Sequence, residues 1–177
     1  EKEKIRDQQE RLRLQYAEFL ILQEKHKEAR AIFEELTKSD NEFTVAASYM
    51  GIAQITDLMG TTHDSKLVAL KYSQKVLGMK KVFKTPLYAK ALRFSAGMTL
   101  GGKRDYREAL KLYQKYNEMF PDGRERRRAL YYTAYCHLKL KQRSKAQAIY
   151  EELKSENDVY SYNLKRKLSA SEQTKGK

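Results

Sequence analysis

TPLYAKALRFSAGMTLGGKRDYREALKLYQKYNEMFPDGRERRRALYYTAYCHLKLKQRSKAQAIYEEL, residues 85–153, carries one pattern twice. A small residue is followed twelve positions later by alanine, first as Gly97 and Ala109 and again as Ala134 and Ala146. A tyrosine stands four residues beyond each alanine, Tyr113 and Tyr150, and a large side chain seven beyond, Tyr116 and Leu153. Such spacing predicts a repeated pair of helices. The small residue lets the first helix lie close to the second, the alanine sits at the crossing, and the ring one turn on fills the space beside it.

Toward the N-terminus the pattern recurs in altered form. Residues 3–23 place Ile5, Leu12, Tyr16, Phe19 and Leu20 at helical spacing among charges, which reads as one long amphipathic helix. A second helix is expected from Lys27 to Thr37, with Ala17 and Ala29 again twelve apart and Phe33 and Leu36 beyond. In the next unit Gly51 and Ala69 are eighteen apart, with LMGTTHDS between them, so either the turn is longer or the helices are extended. Ser73 stands there in place of the aromatic, beside Tyr72. The alanines at 29, 69, 109 and 146 are spaced by 40, 40 and 37 residues, a period that marks a repeat array.

This arrangement resembles the tetratricopeptide repeat family, whose unit is about 34 residues of helix, turn and helix. On that pattern Gly97 holds the small position, Tyr106 and Ala109 open the second helix, Tyr113 follows and Pro121 closes the unit. The last unit keeps Ala134, Ala146 and Tyr150 but has Arg143 where Tyr106 stands, and neither unit has the family's early Trp. The resemblance implies an all-α, right-handed superhelical solenoid of four units, at about 3–40, 41–80, 85–121 and 122–157. A single domain over 1–168 is expected. A capping helix at 158–168, bearing Tyr160, Leu164 and Leu168, would cover the apolar face of the last pair, and the polar stretch 169–177 reads as disordered.

Punctuation places the helix starts. Thr85 before Pro86 reads as an N-cap and first helical residue. Asp105 with Glu108, Asp122 with Glu125 and Ser144 with Gln147 have capping-box spacing, and Asp158 is placed to cap the last helix. Gly101 and Gly102 read as a left-handed C-cap.

Composition narrows the function. With 177 residues, 41% hydrophobic and 11% aromatic, the chain can bury a core, and no apolar run approaches the roughly 18 residues that would cross a bilayer, which reads as a soluble protein. It opens on Glu1 rather than methionine, so a processed N-terminus with a leader or lipid anchor is left open. Cys136 falls in an apolar helical pattern and reads as a small core residue, while His26, His63 and His137 lack metal-ligand spacing. With no phosphate loop, nucleophile elbow or Cys pair, no catalysis, metal or cofactor is expected.

A binding surface is the remaining candidate. Aligning Ala17, Gly51, Gly97 and Ala134 brings Glu18, Ile52, Met98 and Tyr135 into register one residue later, and Leu14, Ser48, Phe94 and Tyr131 three earlier. First helices line the concave face in such solenoids. The expected groove is therefore Ile52, Phe94, Met98, Tyr131 and Tyr135 with Arg128 at its edge, either open to an apolar or aromatic segment of another protein or covered by the chain's own helices. These side chains do not match the Lys, Asn and Arg clamp of the chaperone-binding branch of the family.

The net charge of +13 is concentrated late, with −1 over residues 1–40, +1 over 41–80, +6 over 81–120 and +7 over 121–177. Lys103, Arg104, Arg124, Arg126, Arg127, Lys165, Arg166 and Lys167 form a candidate basic patch. An acidic partner, an anionic membrane surface or nucleic acid would answer it, although no RNA or DNA module is present. Residues 120–153 are also similar to repeats of bacterial cell-envelope proteins, which implies that compartment, with the cytoplasm as the alternative.

Overall fold

The structure, a computed structural model, describes residues 1–173. Among them the regular structure is helical: α1 (Lys2–Leu22), α2 (His26–Leu36), α3 (Glu42–Met59), α4 (His63–Leu77), α5 (Pro86–Met98), α6 (Tyr106–Met119), α7 (Arg126–Lys139), α8 (Arg143–Leu153) and α9 (Val159–Gln173). The chain forms two compact units, Glu1–Lys103 and Arg104–Lys177, and the division falls inside the third sequence repeat, between α5 and α6.

In the N-terminal unit α1 packs on α2 and α3, α3 on α4, and α4 on α5. Ala17, Leu20, Ala29, Phe33, Ile52 and Ile55 form a core cluster. Gly51 of α3 makes its close approach to the preceding pair instead of to α4, since an added Cβ there would lie 2.4 Å from the Phe33 ring of α2. The eighteen-residue spacing of the second pair comes from longer helices, since only Gly60, Thr61 and Thr62 separate α3 from α4. Ser73, in the aromatic's place, is buried and its hydroxyl lies 2.7 Å from that of Ser95 on α5.

The C-terminal unit repeats the packing, with α6 on α7, α7 on α8, and α9 laid against both α7 and α8. Leu164 and Leu168 of α9 close a cluster with Leu130, Ala134, Ala146 and Leu153, so the expected capping helix is present. It continues past Leu168 to Gln173, so the start of the expected tail is helical, and residues 174–177 lie outside the described residues. Asp158 caps α9 by accepting from the amides of Tyr160 (3.1 Å) and Ser161 (3.0 Å).

Several local expectations are met and others corrected. Thr85 accepts from the Tyr88 amide with Pro86 at the first helical position, and Asp105 accepts from Arg107 and Glu108. Asp122 and Ser144 do not cap, because α7 begins after Glu125 and α8 after Gln142, neither with a side-chain cap bond. Gly101 and Gly102 do not form a left-handed cap. They lie in a π-helical segment, Thr99–Lys103, and no glycine among the described residues has positive φ. Glycine at 102 serves close approach instead, since a Cβ there would sit 3.2 Å from Lys66 Cβ on α4.

That π segment changes the register of the third repeat. Of the six buried positions on α7, five, Ala129, Leu130, Thr133, Ala134 and His137, fall at the intervals that on α5 and the segment after it give buried Ala91, Leu92, Ser95, Ala96 and Thr99, while the sixth, Cys136, corresponds to half-buried Met98. Ala96, fully buried, is therefore the counterpart of Ala134, and half-buried Gly97 is not. Each counterpart hydroxyl meets the preceding second helix: Ser95 with Ser73, and Thr133 accepting from Asn117 Nδ2 at 3.1 Å. A π turn accommodates one inserted residue, which is how Ala96 and Ala109 come to be thirteen apart rather than twelve.

The tight turns inside three repeats use left-handed residues that are not glycine: Glu24 (φ 60), Arg104 (φ 52) and Lys141 (φ 60). Each stands five before its repeat's alanine. After α7 the Lys141 amide donates to Leu138 O and the Gln142 amide to His137 O, and Glu24 and Lys25 do the same after α1. This satisfies the last carbonyls of each helix, at roughly 1 kcal/mol or more for the left-handed backbone.

Three outcomes test this description. Gly51→Leu forces a side chain into the Phe33 ring and should lower stability by about 2–3 kcal/mol in urea unfolding. Lys141→Gly removes the left-handed strain, partly offset by glycine's greater unfolded-state entropy, and should raise stability by about 0.5–1 kcal/mol. The third concerns acid. Arg127, with help from the Ser161 and Tyr160 amides, holds the Asp158 carboxyl at about 2, below its ordinary 3.8. A carboxyl depressed in the folded state stabilises above the unfolded value, and that contribution fades as pH falls from about 4 to about 2. Asp158→Asn should cost about 1–2 kcal/mol at pH 7, after allowance for solvent screening, and show a flatter loss of stability across that acid window.

Candidate functional site

The most developed chemistry in the C-terminal unit is a set of tyrosine rings held by α6, α7 and α9. Tyr131 and Tyr135 lie one turn apart on α7, both half-buried. Tyr131 meets Tyr132 edge-on at 5.1 Å and Tyr160 of α9 at 5.9 Å, while Tyr135 meets Tyr106 of α6 edge-on at 6.4 Å. Tyr132 stacks on buried Tyr113 at 5.4 Å and 11°. Burial, with smaller contributions from Tyr132 and Tyr135, pushes the Tyr131 phenol up, so it stays protonated as a hydrogen-bonding hydroxyl.

Cations border the rings. Lys167 Nζ lies 4.9 Å and Lys139 Nζ 5.5 Å from the Tyr135 centroid, and the Arg128 guanidinium is 6.0 Å from that of Tyr132. Cation–π contacts at exposed sites contribute only about 0.5–1 kcal/mol each. The cations therefore remain available to a carboxylate. Arg128 has a loose contact with Glu125 at 3.7 Å, with both side chains well exposed, which is a weak pairing.

The other expected groove residues fall differently. Ile52 is only 1% exposed and belongs to the core between α1, α2 and α3, so it is not a groove residue. The cause is its place on a central helix packed on both sides. Phe94 and Met98 are half-buried in the N-terminal unit, but with Ala96 as the reference they correspond to Tyr132 and Cys136 rather than to Tyr131 and Tyr135. The counterparts of Arg128, Tyr131 and Tyr135 are Lys90, Arg93 and Gly97. Burial holds the Lys90 amine below its ordinary value, with Arg93 adding to the shift and Glu18 of α1 opposing it.

The basic patch is also divided by its partners. Arg126 binds Glu152 at 2.6 Å. Arg127 donates to Asp158 (2.7 Å) and to Leu153 O (2.9 Å), and pairs with Glu156 (2.9 Å), so it ties α7 to the start of α9. These two arginines staple the unit together. Arg124, Lys165 and Arg166 are exposed, Arg166 lying over Tyr162 at 5.9 Å, and exposed Arg104 is the left-handed turn residue. Lys103 is exposed at the end of the N-terminal unit, so of this group Lys167 alone joins the tyrosine set.

Sequence reading missed Tyr106 and Lys139 as members of this surface. In sequence Tyr106 reads only as part of the repeat pattern, and Lys139 carries the unremarkable signal of a lysine four residues after Tyr135. Burial pushes the Cys136 thiol up to about 12, and among the described residues no group of His, Cys, Asp and Glu is placed to hold a metal. Among them, too, no helix is long and apolar enough to cross a membrane.

Residues 128–157, from Arg128 on α7 through α8, match the model of the tetratricopeptide repeat family. Two solved structures of nearly identical TPR-like repeats, from a Podosopora anserina protein designated a kinesin light chain, have a similar fold. Their TM-scores are 0.68 at 13% identity and 0.67 at 14%, each over 94% of this chain and 86% of that one. No curated protein matches the sequence. The chain thus has an all-α, TPR-like repeat fold. Folds of this class generally mediate protein–protein interaction and are typically non-catalytic.

Proposed function

We propose that the protein is a non-catalytic interaction module that receives a segment of another protein on the tyrosine face of its C-terminal unit. Tyr131 and Tyr135 supply the anchors, and Arg128, Lys139 and Lys167 select a segment carrying carboxylates beside an apolar or aromatic side chain. The observation that carries this reading is the pair of lysines flanking the half-exposed Tyr135 ring at 4.9 and 5.5 Å. Rings already fixed by neighbours lose little entropy on binding, and aromatic anchors supply about 2 kcal/mol or more each. Lysines poised over a ring add a charge preference to that apolar contact.

A labelled peptide alternating Glu and Phe should bind, and one alternating Lys and Phe should bind at least tenfold more weakly. Tyr131→Ala and Tyr135→Ala should each weaken the acidic peptide tenfold or more, by the conversion of roughly 1.4 kcal/mol per decade, with unfolding still cooperative. Equal affinity for both peptides, or indifference to the tyrosine variants, overturns the reading. Binding of heparin that collapses with salt, alongside no peptide binding, would favour charge-driven contact alone.

A further inference from the structure

Lys139 Nζ, at the end of α7, and Lys167 Nζ, on α9, lie 5.5 and 4.9 Å from the Tyr135 centroid, which sets the two ammonium groups at most about 10 Å apart. Neither lysine forms an ion pair among the described residues. Arg143 reaches the Leu168 carbonyl from α8 at 2.5 Å and brings a third positive charge to the turn of α9 that bears Lys167. These charges repel one another, because their separation is close to the screening length of about 8 Å at physiological salt.

The unit itself does little to balance them. Helix α7 contains no Asp or Glu from Arg126 to Lys139, and α9 none from Val159 to Ala170. Acids on the neighbouring elements are engaged elsewhere. Asp105 accepts from the Arg107 and Glu108 amides, Glu125 contacts Arg128, Glu151 pairs with Lys154, Glu152 with Arg126, and Glu156 and Asp158 with Arg127. On α6, Tyr106 is the residue that meets Tyr135. Glu108 stands two positions on, about 200° round the helix from Tyr106, and Glu118 about 18 Å along its axis. Asp122 lies in the turn before α7, at the opposite end of that helix from Lys139.

Spacing along α7 says how a ligand meets these cations. Tyr131 and Tyr135 are one turn apart, about 6 Å along the axis. Alternate side chains of an extended segment recur at about that distance, since each residue advances about 3.3 Å. An extended segment with an apolar side chain on Tyr131 therefore places the side chain two residues away over Tyr135, between the lysines. A carboxylate there neutralises one ammonium group and leaves the other unanswered. A phosphorylated side chain carries about −1.5 to −2 at pH 7 and three acceptor oxygens, enough to meet both.

Taking the tyrosine face as the binding surface, on which this rests, we propose that the segment it receives carries a phosphorylated serine or threonine held between Lys139 and Lys167 over Tyr135, with an apolar side chain two residues away on Tyr131. Phosphorylation of the partner then switches binding on, with no change required in this chain.

The test titrates three labelled peptides of one sequence into the full chain, with Phe-Gly-phosphoserine, Phe-Gly-Glu or Phe-Gly-Ser at the centre, and reads fluorescence anisotropy. The phosphopeptide should bind at least tenfold more tightly than the glutamate peptide. That advantage should fade as pH falls through about 6, where the phosphate takes up a proton. The glutamate peptide, read over the same range, controls for His137 on α7. Lys139→Gln and Lys167→Gln should each weaken the phosphopeptide tenfold or more and remove most of its advantage, with unchanged helical circular dichroism. Should Lys167→Gln lose helix, Lys167→Met, which keeps the aliphatic stem over the ring, replaces it. Equal binding of the phosphoserine and glutamate peptides, both weakened by Tyr131→Ala, overturns the phosphate assignment and leaves the tyrosine face standing. Inorganic phosphate that displaces the phosphopeptide as well as the unlabelled phosphopeptide does also overturns it, and no binding of any of the three overturns the tyrosine face with it.

Discussion

Everything in this protein rests on how closely its neighbouring helices approach one another at small residues. Where Gly51 faces Phe33, a single added carbon would lie 2.4 Å from the ring, so the α2–α3 contact exists only because that side chain is missing. Ala17 and Ala29, and Ala134 and Ala146, are fully buried at the crossings inside their own pairs. Close approach lets the larger side chains, Phe33 and Leu153 among them, fill the flanking space at core density. Close approach thus joins helices within a pair and from one pair to the next, and the rest of the chain supplies the connections and covers the ends.

The connections are polar and specific. Left-handed Glu24, Arg104 and Lys141 turn the chain between the helices of three pairs without glycine, two of them with carbonyl-satisfying hydrogen bonds that offset the backbone strain. At the C-terminal end Arg127 reaches Asp158, Glu156 and the Leu153 carbonyl, which locks the start of α9 onto α7 while Leu164 and Leu168 seal the apolar face beneath. A cation that looked in sequence like part of a binding patch is therefore a structural tie.

The two units present different surfaces. In the C-terminal unit, fixed tyrosine rings flanked by lysines combine apolar area with positive charge. In the N-terminal unit, the counterparts of Arg128, Tyr131 and Tyr135 are Lys90, Arg93 and Gly97, which offer charge without rings. Both surfaces arise from the repeat itself. A first helix always has one face for its own pair, one for the preceding pair and one that is left over, and only the residues placed there distinguish a core contact from a binding surface.

Sequence by itself determined the helical repeat, because the alanines at 29, 69, 109 and 146 and their following large residues are a local pattern that one kind of packing satisfies. It determined the Thr85, Asp105 and Asp158 caps as well, since a cap depends on neighbours within three residues. The register of the third repeat was decided by tertiary structure. A twelve-residue spacing from Gly97 looked regular, but the π turn at Thr99–Lys103 absorbs one residue and puts Ala96 at the buried position, which moves Phe94 and Met98 off the face assigned to them. Ile52 was misplaced for a related reason: periodicity tells which residues share a face, but not that a central helix is covered on two sides. Which arginines pair internally depends on residues more than twenty positions away. Only the folded chain brings those together.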